Sequence, residues 1–161
     1  VWSSRGLGDV YKRQNLIYTK DKKAGILDFQ DAVIGPIGLD LASLFKDLYY
    51  DWPEEKIVDW YSEYNEKLKR ILNIELNLES LVKFIDFASI QRQVRILGKL
   101  SQVYEQLNRL ERLKDFHKLI NYLKNTSEKY SELENFSCSI AILQEPLKIK
   151  LEKIFSWKHL F

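Results

Sequence analysis

The chain has 161 residues, of which 45% are hydrophobic and 13% aromatic, enough for one domain, or one lobe of a larger domain, with a hydrophobic core. It carries 25 basic and 23 acidic residues, a net charge of +2. No apolar run reaches the roughly 18 residues of a membrane-spanning helix, so we expect no membrane partner.

The first fourteen residues are predicted to be non-native. Residues 4–14 match, residue for residue, the in-frame translation of a DNA adapter used in sequencing libraries. Removing residues 1–14 leaves 22 of the 25 basic and 22 of the 23 acidic residues, so the net charge falls from +2 to zero. The charge therefore gives no support for a nucleic-acid partner, and we expect none.

A charged turn between two apolar segments predicts a β-hairpin next in the chain. Its strands are Asn15–Thr19 and Ala24–Phe29, joined by the turn at residues 20–23. A hairpin brings the start of its first strand beside the end of its second. Asn15 and Asp28 are therefore expected side by side, where an amide oxygen and a carboxylate can bind a metal ion.

A helical body is predicted after the hairpin. Apolar spacing predicts helices over residues 38–50, 53–71, 78–107, 109–125 and 146–155. The expected apolar faces include Ile71 on the second of these helices and Val94 on the third. Asn77 is the expected N-cap of the third helix, and Pro146 is expected to interrupt the last helical region.

The numbers of cysteine and methionine residues favour a reducing compartment and predict a truncated chain. Cys138 is the one cysteine, which excludes an internal disulfide and favours a reducing, cytoplasmic compartment. Because it lies in an apolar stretch, we expect a small core residue rather than a nucleophile. The chain has no methionine, even at position 1, so we expect a fragment whose true N-terminus is missing.

Three segments together resemble one enzyme family. They read Asn15-Leu-Ile, Gly25-Ile-Leu-Asp28-Phe-Gln-Asp31-Ala and Gly35-Pro-Ile-Gly-Leu-Asp40-Leu-Ala. They resemble the C-terminal lobe of aminoglycoside phosphotransferase-like kinases, with a closer likeness to bacterial anomeric sugar kinases of N-acetylmuramate and N-acetylglucosamine. The likeness continues to Leu133 through Gln91-Arg92.

The resemblance implies an α+β, protein-kinase-like C-terminal lobe fragment, in which a β-hairpin precedes a mainly helical body. It divides the chain into the adapter-like segment 1–14, a partial lobe 15–135 and a C-terminal helical extension 136–161. It also implies ATP and Mg²⁺ as cofactors and a sugar hydroxyl as phosphoryl acceptor, in cell-wall sugar recycling.

The resemblance also implies roles for individual residues. Asn15 and Asp28 match the family's magnesium ligands, and Asp40 matches an aspartate that supports the catalytic loop. Asp31 is either a second contact to metal or loop, or a surface or capping carboxylate. Gln91 and Arg92, with the nearby Arg95, lie off the apolar stripe and face either a sugar or phosphate, or solvent and an intramolecular ion pair.

The chain departs from the family pattern just before Asn15. The general-base aspartate and the histidine of the family motif would fall at Val10 and Gly8, and Asp9 is one residue out of register. The glycine-rich loop, the phosphate-binding lysine and its glutamate partner are also absent from these residues. We therefore expect this chain by itself to be catalytically inactive.

Two other functions stay open at the level of sequence. One is a kinase of a different small alcohol, such as an aminoglycoside or choline. The other is a non-enzymatic helical interaction module, which predicts that Asn15 and Asp28 do not converge.

Overall fold

Short antiparallel strands precede a series of helices in the computed structural model, which describes residues 4–6, 16–27, 33–46, 48, 50–107 and 113–157. The strands are β1 (Ser4–Gly6), β2 (Leu16–Tyr18), β3 (Ala24–Ile26) and β4 (Val33–Gly35). The helices are α1 (Gly38–Phe45), α2 (Glu54–Leu72), α3 (Leu78–Leu107), α4 (Leu113–Ser127) and α5 (Glu134–Trp157), with a 3₁₀ turn at Ser131–Leu133.

The chain divides into two units, Val1–Ser89 and Ile90–Phe161, and α3 contributes residues to both. The small antiparallel hairpin and the mostly helical body confirm the predicted α+β composition. The predicted domain boundaries at residues 14 and 135 stay predictions.

The hairpin forms where the alternation of apolar segments and a charged turn predicts it. Leu16, Ile17 and Tyr18 of β2 pair with Ile26, Gly25 and Ala24 of β3. The hydroxyl of Thr19 donates to the carbonyl of Lys23 at 2.9 Å and accepts from its N–H at 3.1 Å, which closes the turn. Lys22 has a φ of 59°, the left-handed conformation that such a tight turn requires.

A second pair of strands lies next to this hairpin in sequence. β1 pairs antiparallel with β4, with Arg5 opposite Ile34. β1 falls inside the segment that is predicted to be non-native, and that prediction stays untested.

Helix α1 is shorter than its apolar spacing predicts. The expected helix over residues 38–50 ends at Phe45, because Lys46 has φ −112° and ψ 41°, outside the helical region. The N–H of Lys46 still donates to the carbonyl of Ala42 at 3.1 Å, so the last helical hydrogen bond is made at this residue. Leu48 is nevertheless buried, from a position beyond the helix.

Helix α2 begins at Glu54, directly after the proline that the sequence places there. Two glutamates, Glu54 and Glu55, occupy its first turn, where negative charge complements the helix dipole. Asn73 ends the helix in a left-handed conformation with φ 54°, and its N–H donates to the carbonyl of Lys69 at 3.1 Å. The prediction that Ile71 faces the core is wrong, because this side chain near the helix end is 68% exposed.

Helix α3 has the boundaries that the sequence predicts. The side-chain oxygen of Asn77 accepts a hydrogen bond from the N–H of Ser80 at 2.6 Å, which confirms Asn77 as the N-cap. Upstream of this cap, the side-chain amide of Asn65 on α2 donates to the carbonyl of Leu76 at 2.8 Å. Two side chains therefore fix the short connection between α2 and α3: Asn65 bonds its backbone at Leu76, and Asn77 caps the helix that follows.

The core of the first unit lies between α1, α2 and α3. Its buried members are Ile37, Leu41, Ala42, Ile57, Tyr61, Leu68, Leu81, Ile85 and Ala88. α1 approaches α3 closely at Gly38, where an added Cβ would lie 2.6 Å from the carbonyl oxygen of Phe84 and 2.9 Å from the nitrogen of Ile85. These are backbone atoms that cannot rotate away, so only glycine fits at this position.

The core of the second unit is smaller. Ile90 of α3, Ile120 and Leu123 of α4 and Ile140 of α5 form its buried cluster. Between α4 and α5, the amide of Gln144 donates to the side-chain oxygen of Asn121 at 2.6 Å. The Asn121 amide lies 3.0 Å from the Nε2 atom of His117, so a polar chain of three residues runs beside this cluster.

Two predictions for the C-terminal region are wrong. Pro146 lies inside α5 and does not interrupt it. A proline leaves one carbonyl a turn earlier without its helical donor, here that of Ile142, and Ile142 is 74% exposed, so water can reach that carbonyl. Cys138 is exposed and is not a core residue.

In the part of the chain that the structure describes, no helix combines the length and the apolarity needed to cross a membrane.

The close approach at Gly38 predicts a large difference between two glycine substitutions. Gly38→Ala is expected to lower the free energy of unfolding by about 1–3 kcal/mol, because the new methyl group meets the α3 backbone. Gly98→Ala is the matched control, since Gly98 is a helical glycine with no atom within 4 Å of an added Cβ. It is expected to raise stability by about 0.5–1 kcal/mol. Urea unfolding followed by circular dichroism measures both, and equal effects would contradict the packing described.

Two exposed ion pairs on and after α2 predict a small pH dependence of stability. Lys69 contacts Glu75 at 2.6 Å, and Lys67 contacts Glu63 at 2.6 Å. The hydrogen bond and charge of each lysine lower the pKa of its glutamate partner below the usual 4.5, and Glu75 raises the pKa of Lys69 above 10.5. The stabilisation is therefore present above about pH 4.5 and is lost as the pH falls through the lowered carboxyl pKa values. The stabilisation that comes from the raised pKa of Lys69 is present below about pH 10.5 and is lost as the pH rises through the raised pKa.

Glu75→Gln is expected to lower the Tm slightly at pH 7, and the difference from the unchanged chain is expected to shrink as the pH falls from 4.5 towards 3 and to shrink in 1 M salt. Thermal unfolding at several pH values measures it, with the exposed Glu145→Gln on α5 as the control. A difference that persisted unchanged at pH 3 would show that the ion pair is not its cause.

Candidate functional site

The hairpin places the start of one strand opposite the end of the other. Leu16, the first residue of β2, is the register partner of Ile26, the last residue of β3. Asn15 precedes Leu16 by one residue and Asp28 follows Ile26 by two, and both lie outside the described residues. The register agrees with the arrangement on which the predicted metal site depends, and the convergence of the two side chains stays a prediction.

Asp40 lies in the first turn of α1. β4 ends at Gly35, Pro36 follows, and the N–H of Leu39 donates to the carbonyl of Pro36 at 3.1 Å to start the helix. Asp40 is half-buried and its Oδ1 atom is buried. A carboxylate in the first turn of a helix is stabilised by the helix dipole. This position suits the structural role that the sequence predicts for Asp40, and Asp31 lies outside the described residues.

Gln91, Arg92 and Arg95 lie on α3, within the second unit. Gln91 and Arg95 are exposed. Arg92 is half-buried, and its Nε atom is buried. The guanidinium of Arg92 is therefore held against protein, whereas Gln91 and Arg95 face solvent, and the proposed contact of Gln91 and Arg92 with substrate stays a prediction.

Sequence reasoning missed a polar continuation of the apolar stripe on α3. Leu81, Ile85, Ser89 and Gln93 follow one another at four-residue intervals, and all four are buried. Asp86 is also buried, at 1% exposure, and the Ser89 hydroxyl donates to its backbone carbonyl at 2.7 Å. Val94, predicted to continue the stripe, is 42% exposed. The four-residue spacing is the signal by which the sequence could have revealed this buried stripe, since it continues from the apolar Leu81 and Ile85 to the polar Ser89 and Gln93.

Asp86, Ser89 and Gln93 add polar groups to the buried face of α3. Burying a carboxylate or an amide is costly unless it is hydrogen-bonded, so protein partners for these groups are expected, as Ser89 shows with the carbonyl of Asp86.

A cavity of about 440 Å³ lies in the second unit, where α4 ends and α5 begins. Its lining includes hydroxyl, carboxyl and thiol groups, from Ser127, Glu128, Tyr130, Ser131, Glu134, Ser137 and Cys138. No residue named by the sequence analysis as a site residue belongs to this lining. Within the described residues, no group of three or more His, Cys, Asp or Glu side chains is arranged to hold a metal ion.

Comparison with known proteins identifies a family for the first half of the chain. Residues 7–72 match the phosphotransferase enzyme family. The match begins inside the segment predicted to be non-native and covers the hairpin, α1 and α2.

Three curated proteins are similar to a larger part of the chain, and each is named N-acetylmuramate/N-acetylglucosamine kinase. The protein of Neisseria meningitidis serogroup B is 31% identical over 121 residues, which are 74% of this chain and 36% of that protein. The Pseudomonas putida protein is 27% identical over 135 residues, 83% of this chain and 40% of its own length. The Pseudomonas aeruginosa protein is 25% identical over 136 residues, 84% and 40% of the two chains.

The chain thus spans about two fifths of the length of the curated relatives it matches. No solved structure matches it.

Asp40 is predicted to matter more for stability than an ordinary carboxylate at a helix start. Asp40→Asn is expected to lower the free energy of unfolding by about 1–2 kcal/mol, because it removes the charge of a half-buried carboxylate whose interaction with the helix dipole is only partly screened by water. Glu54→Gln removes a first-turn carboxylate from α2 that is exposed, and is expected to cost about 0.3–1 kcal/mol. Chemical unfolding of both variants measures the difference. Equal losses of stability in the two variants would show that the partial burial of Asp40 does not strengthen its interaction with the helix dipole.

Proposed function

We propose, because residues 7–72 belong to the phosphotransferase enzyme family, that this chain is part of an ATP-dependent kinase that phosphorylates a sugar hydroxyl. The names of three relatives, each an N-acetylmuramate/N-acetylglucosamine kinase, support an N-acetyl amino sugar as the acceptor. The proposed acceptor atom is the anomeric hydroxyl, and the proposed role is the recycling of cell-wall sugars in the cytoplasm.

The observation that carries the proposal is the register of the hairpin. Leu16 opposite Ile26 means that the chain enters β2 and leaves β3 at the same end of the hairpin. Asn15 and Asp28 adjoin that end in sequence. One amide oxygen and one carboxylate are hard oxygen donors, which is the donor chemistry that Mg²⁺ prefers. The two residues fit a magnesium site shared with nucleotide phosphates.

Each proposed site residue has a distinct role. Asn15 and Asp28 would hold Mg²⁺, which when bound neutralises charge on the ATP phosphates. Asp40, held in the first turn of α1, would support the loop that carries Asn15, and Asp31 would add a further contact to that loop or to the metal. Gln91 and Arg92 would contact the substrate, for which a guanidinium and an amide are suitable donors.

The general base is one of the parts of the reaction for which this chain has no matching residue. Five residues before Asn15, where the family pattern has an aspartate, the chain has Val10. We therefore expect these 161 residues to bind ligands without transferring the phosphoryl group.

A metal–nucleotide titration tests the proposed site. Mg²⁺–ADP binding to the purified chain, measured by calorimetry, is expected to weaken at least tenfold in Asp28→Asn, because the variant loses the charged metal ligand. Asp21→Asn is the matched control, since Asp21 is an exposed aspartate in the turn of the same hairpin. Its affinity for Mg²⁺–ADP is expected to equal that of the unchanged chain.

Two outcomes of this titration would reject the kinase site. One is the same affinity in Asp28→Asn and Asp21→Asn, and the other is no Mg²⁺-dependent binding by the unchanged chain, as a helical interaction module predicts. If the site is present, competition among N-acetylglucosamine, choline and an aminoglycoside for binding distinguishes the acceptor classes.

A further inference from the structure

A row of aromatic rings runs from the core of the first unit to its surface. Phe45 and Trp60 stack with ring centroids 5.1 Å apart, and Phe45 also meets Tyr61 edge-on at 5.8 Å. Trp60 meets Trp52 edge-on at 5.1 Å, and Trp52 lies 4.4 Å from Tyr50 at a tilt of 58°. Tyr61 is 3% exposed, whereas Trp52 and Tyr50 are 37% and 47% exposed.

The exposed end of this row is fixed in place. The indole N–H of Trp52 donates to the carbonyl of Leu44 in the last turn of α1, at 3.3 Å. Pro53, the next residue, is the N-cap of α2. Trp52 is thus tied to two helices, and Tyr50 rests against its ring. Rigid aromatic side chains bind a ligand with little loss of conformational entropy.

Carboxylates surround the two exposed rings in sequence. Asp51 lies between them, and Glu54 and Glu55 follow in the first turn of α2, all three exposed. Exposed aromatic rings beside hydrogen-bond acceptors are suited to a ligand with one apolar face and several hydroxyl groups. An apolar protein segment would instead remove water from the exposed carboxylates of Glu54 and Glu55 and offer them no hydrogen-bond donors.

The exposed rings lie close to the helix that carries Asp40. Leu44, which accepts the hydrogen bond from Trp52, follows Asp40 by one turn of α1, about 6 Å along the helix axis. All of these residues belong to the first unit. Trp52 is therefore hydrogen-bonded to the same short helix that carries a residue of the proposed kinase site.

We propose that Tyr50 and Trp52 form a sugar-binding surface that packs against the apolar face of an N-acetylated hexopyranose, with hydroxyl groups donating to the adjacent carboxylates. C–H groups on one face of a pyranose ring make weak attractive contacts with aromatic rings. The inference rests on the proposed function for the identity of the sugar. It adds residues that neither the sequence motifs nor the family match names as ligands.

A sugar titration without nucleotide or metal tests this surface. N-acetylglucosamine is titrated into the 161-residue chain, and binding is followed by saturation-transfer NMR and tryptophan fluorescence. Tyr50→Ala is expected to raise the Kd at least fivefold, because it removes an exposed ring and leaves the Trp52–Leu44 hydrogen bond in place. Trp52→Phe keeps a ring and is expected to raise the Kd less than Tyr50→Ala does.

The control variant is Val58→Ala, which shortens a 48% exposed apolar side chain of α2 outside the aromatic row. Its Kd is expected to stay within twofold of the unchanged chain, and sorbitol, a linear polyol without a pyranose face, is expected not to bind. Circular dichroism and Mg²⁺–ADP binding verify that each variant is folded.

The proposal is overturned if the unchanged chain does not bind N-acetylglucosamine, or if Tyr50→Ala binds it as tightly as Val58→Ala does. In either case Mg²⁺–ADP binding that depends on Asp28 would leave the kinase function standing. The reverse result, sugar binding that depends on Tyr50 without Asp28-dependent nucleotide binding, would support the surface and reject the kinase site.

Discussion

The contact between the start of α1 and the backbone of α3 is the constraint on which the first unit depends. At Gly38 the two helices are so close that a single added carbon would lie 2.6 Å from the carbonyl oxygen of Phe84. This approach buries Leu41 and Ala42 against Leu81 and Ile85. Because helices are rigid over one or two turns, it also sets the position of everything else on α1.

Helix α1 carries a different feature at each end. Asp40 lies in the first turn, and in the last turn Leu44 accepts the hydrogen bond of Trp52 while Phe45 stacks on Trp60. The helix is only eight residues long. A displacement at Gly38 would therefore move the proposed loop support and the aromatic row together. This coupling gives a physical reason for a glycine in a helix, where it otherwise reduces stability.

The buried face of α3 changes in polarity along the helix. Its face begins as hydrophobic core at Leu81 and Ile85 and becomes polar at Ser89 and Gln93. The helix spans the boundary between the two units, so the change in character occurs where α3 passes from one core to the other. The buried cluster of the second unit includes Ile90, Ile120, Leu123 and Ile140, and the hydrogen bond from Gln144 to Asn121 also joins α4 and α5.

Local features of the chain were predictable because their physics is local. The hairpin follows from two apolar segments around a charged turn, and the start of α3 follows from an asparagine whose side chain bonds an N–H three residues later. The resemblance to a phosphotransferase family rests on motifs read directly from residues 15–40, and the family match over residues 7–72 confirms it. None of these requires knowledge of which helix packs against which.

Tertiary structure decided the features for which local signals were incomplete. Apolar spacing continued α1 to residue 50 and placed Ile71 and Val94 in the core, but burial depends on the neighbour that a face meets, and those side chains meet solvent. Pro146 is tolerated in α5 because its surroundings are exposed. Sequence alone thus determined the hairpin, the starts of α1 and α3 and the resemblance to a phosphotransferase family, since each depends on residues a few positions apart. Only the packing of α1 on α3 decided why Gly38 is glycine and which aromatic rings reach the surface.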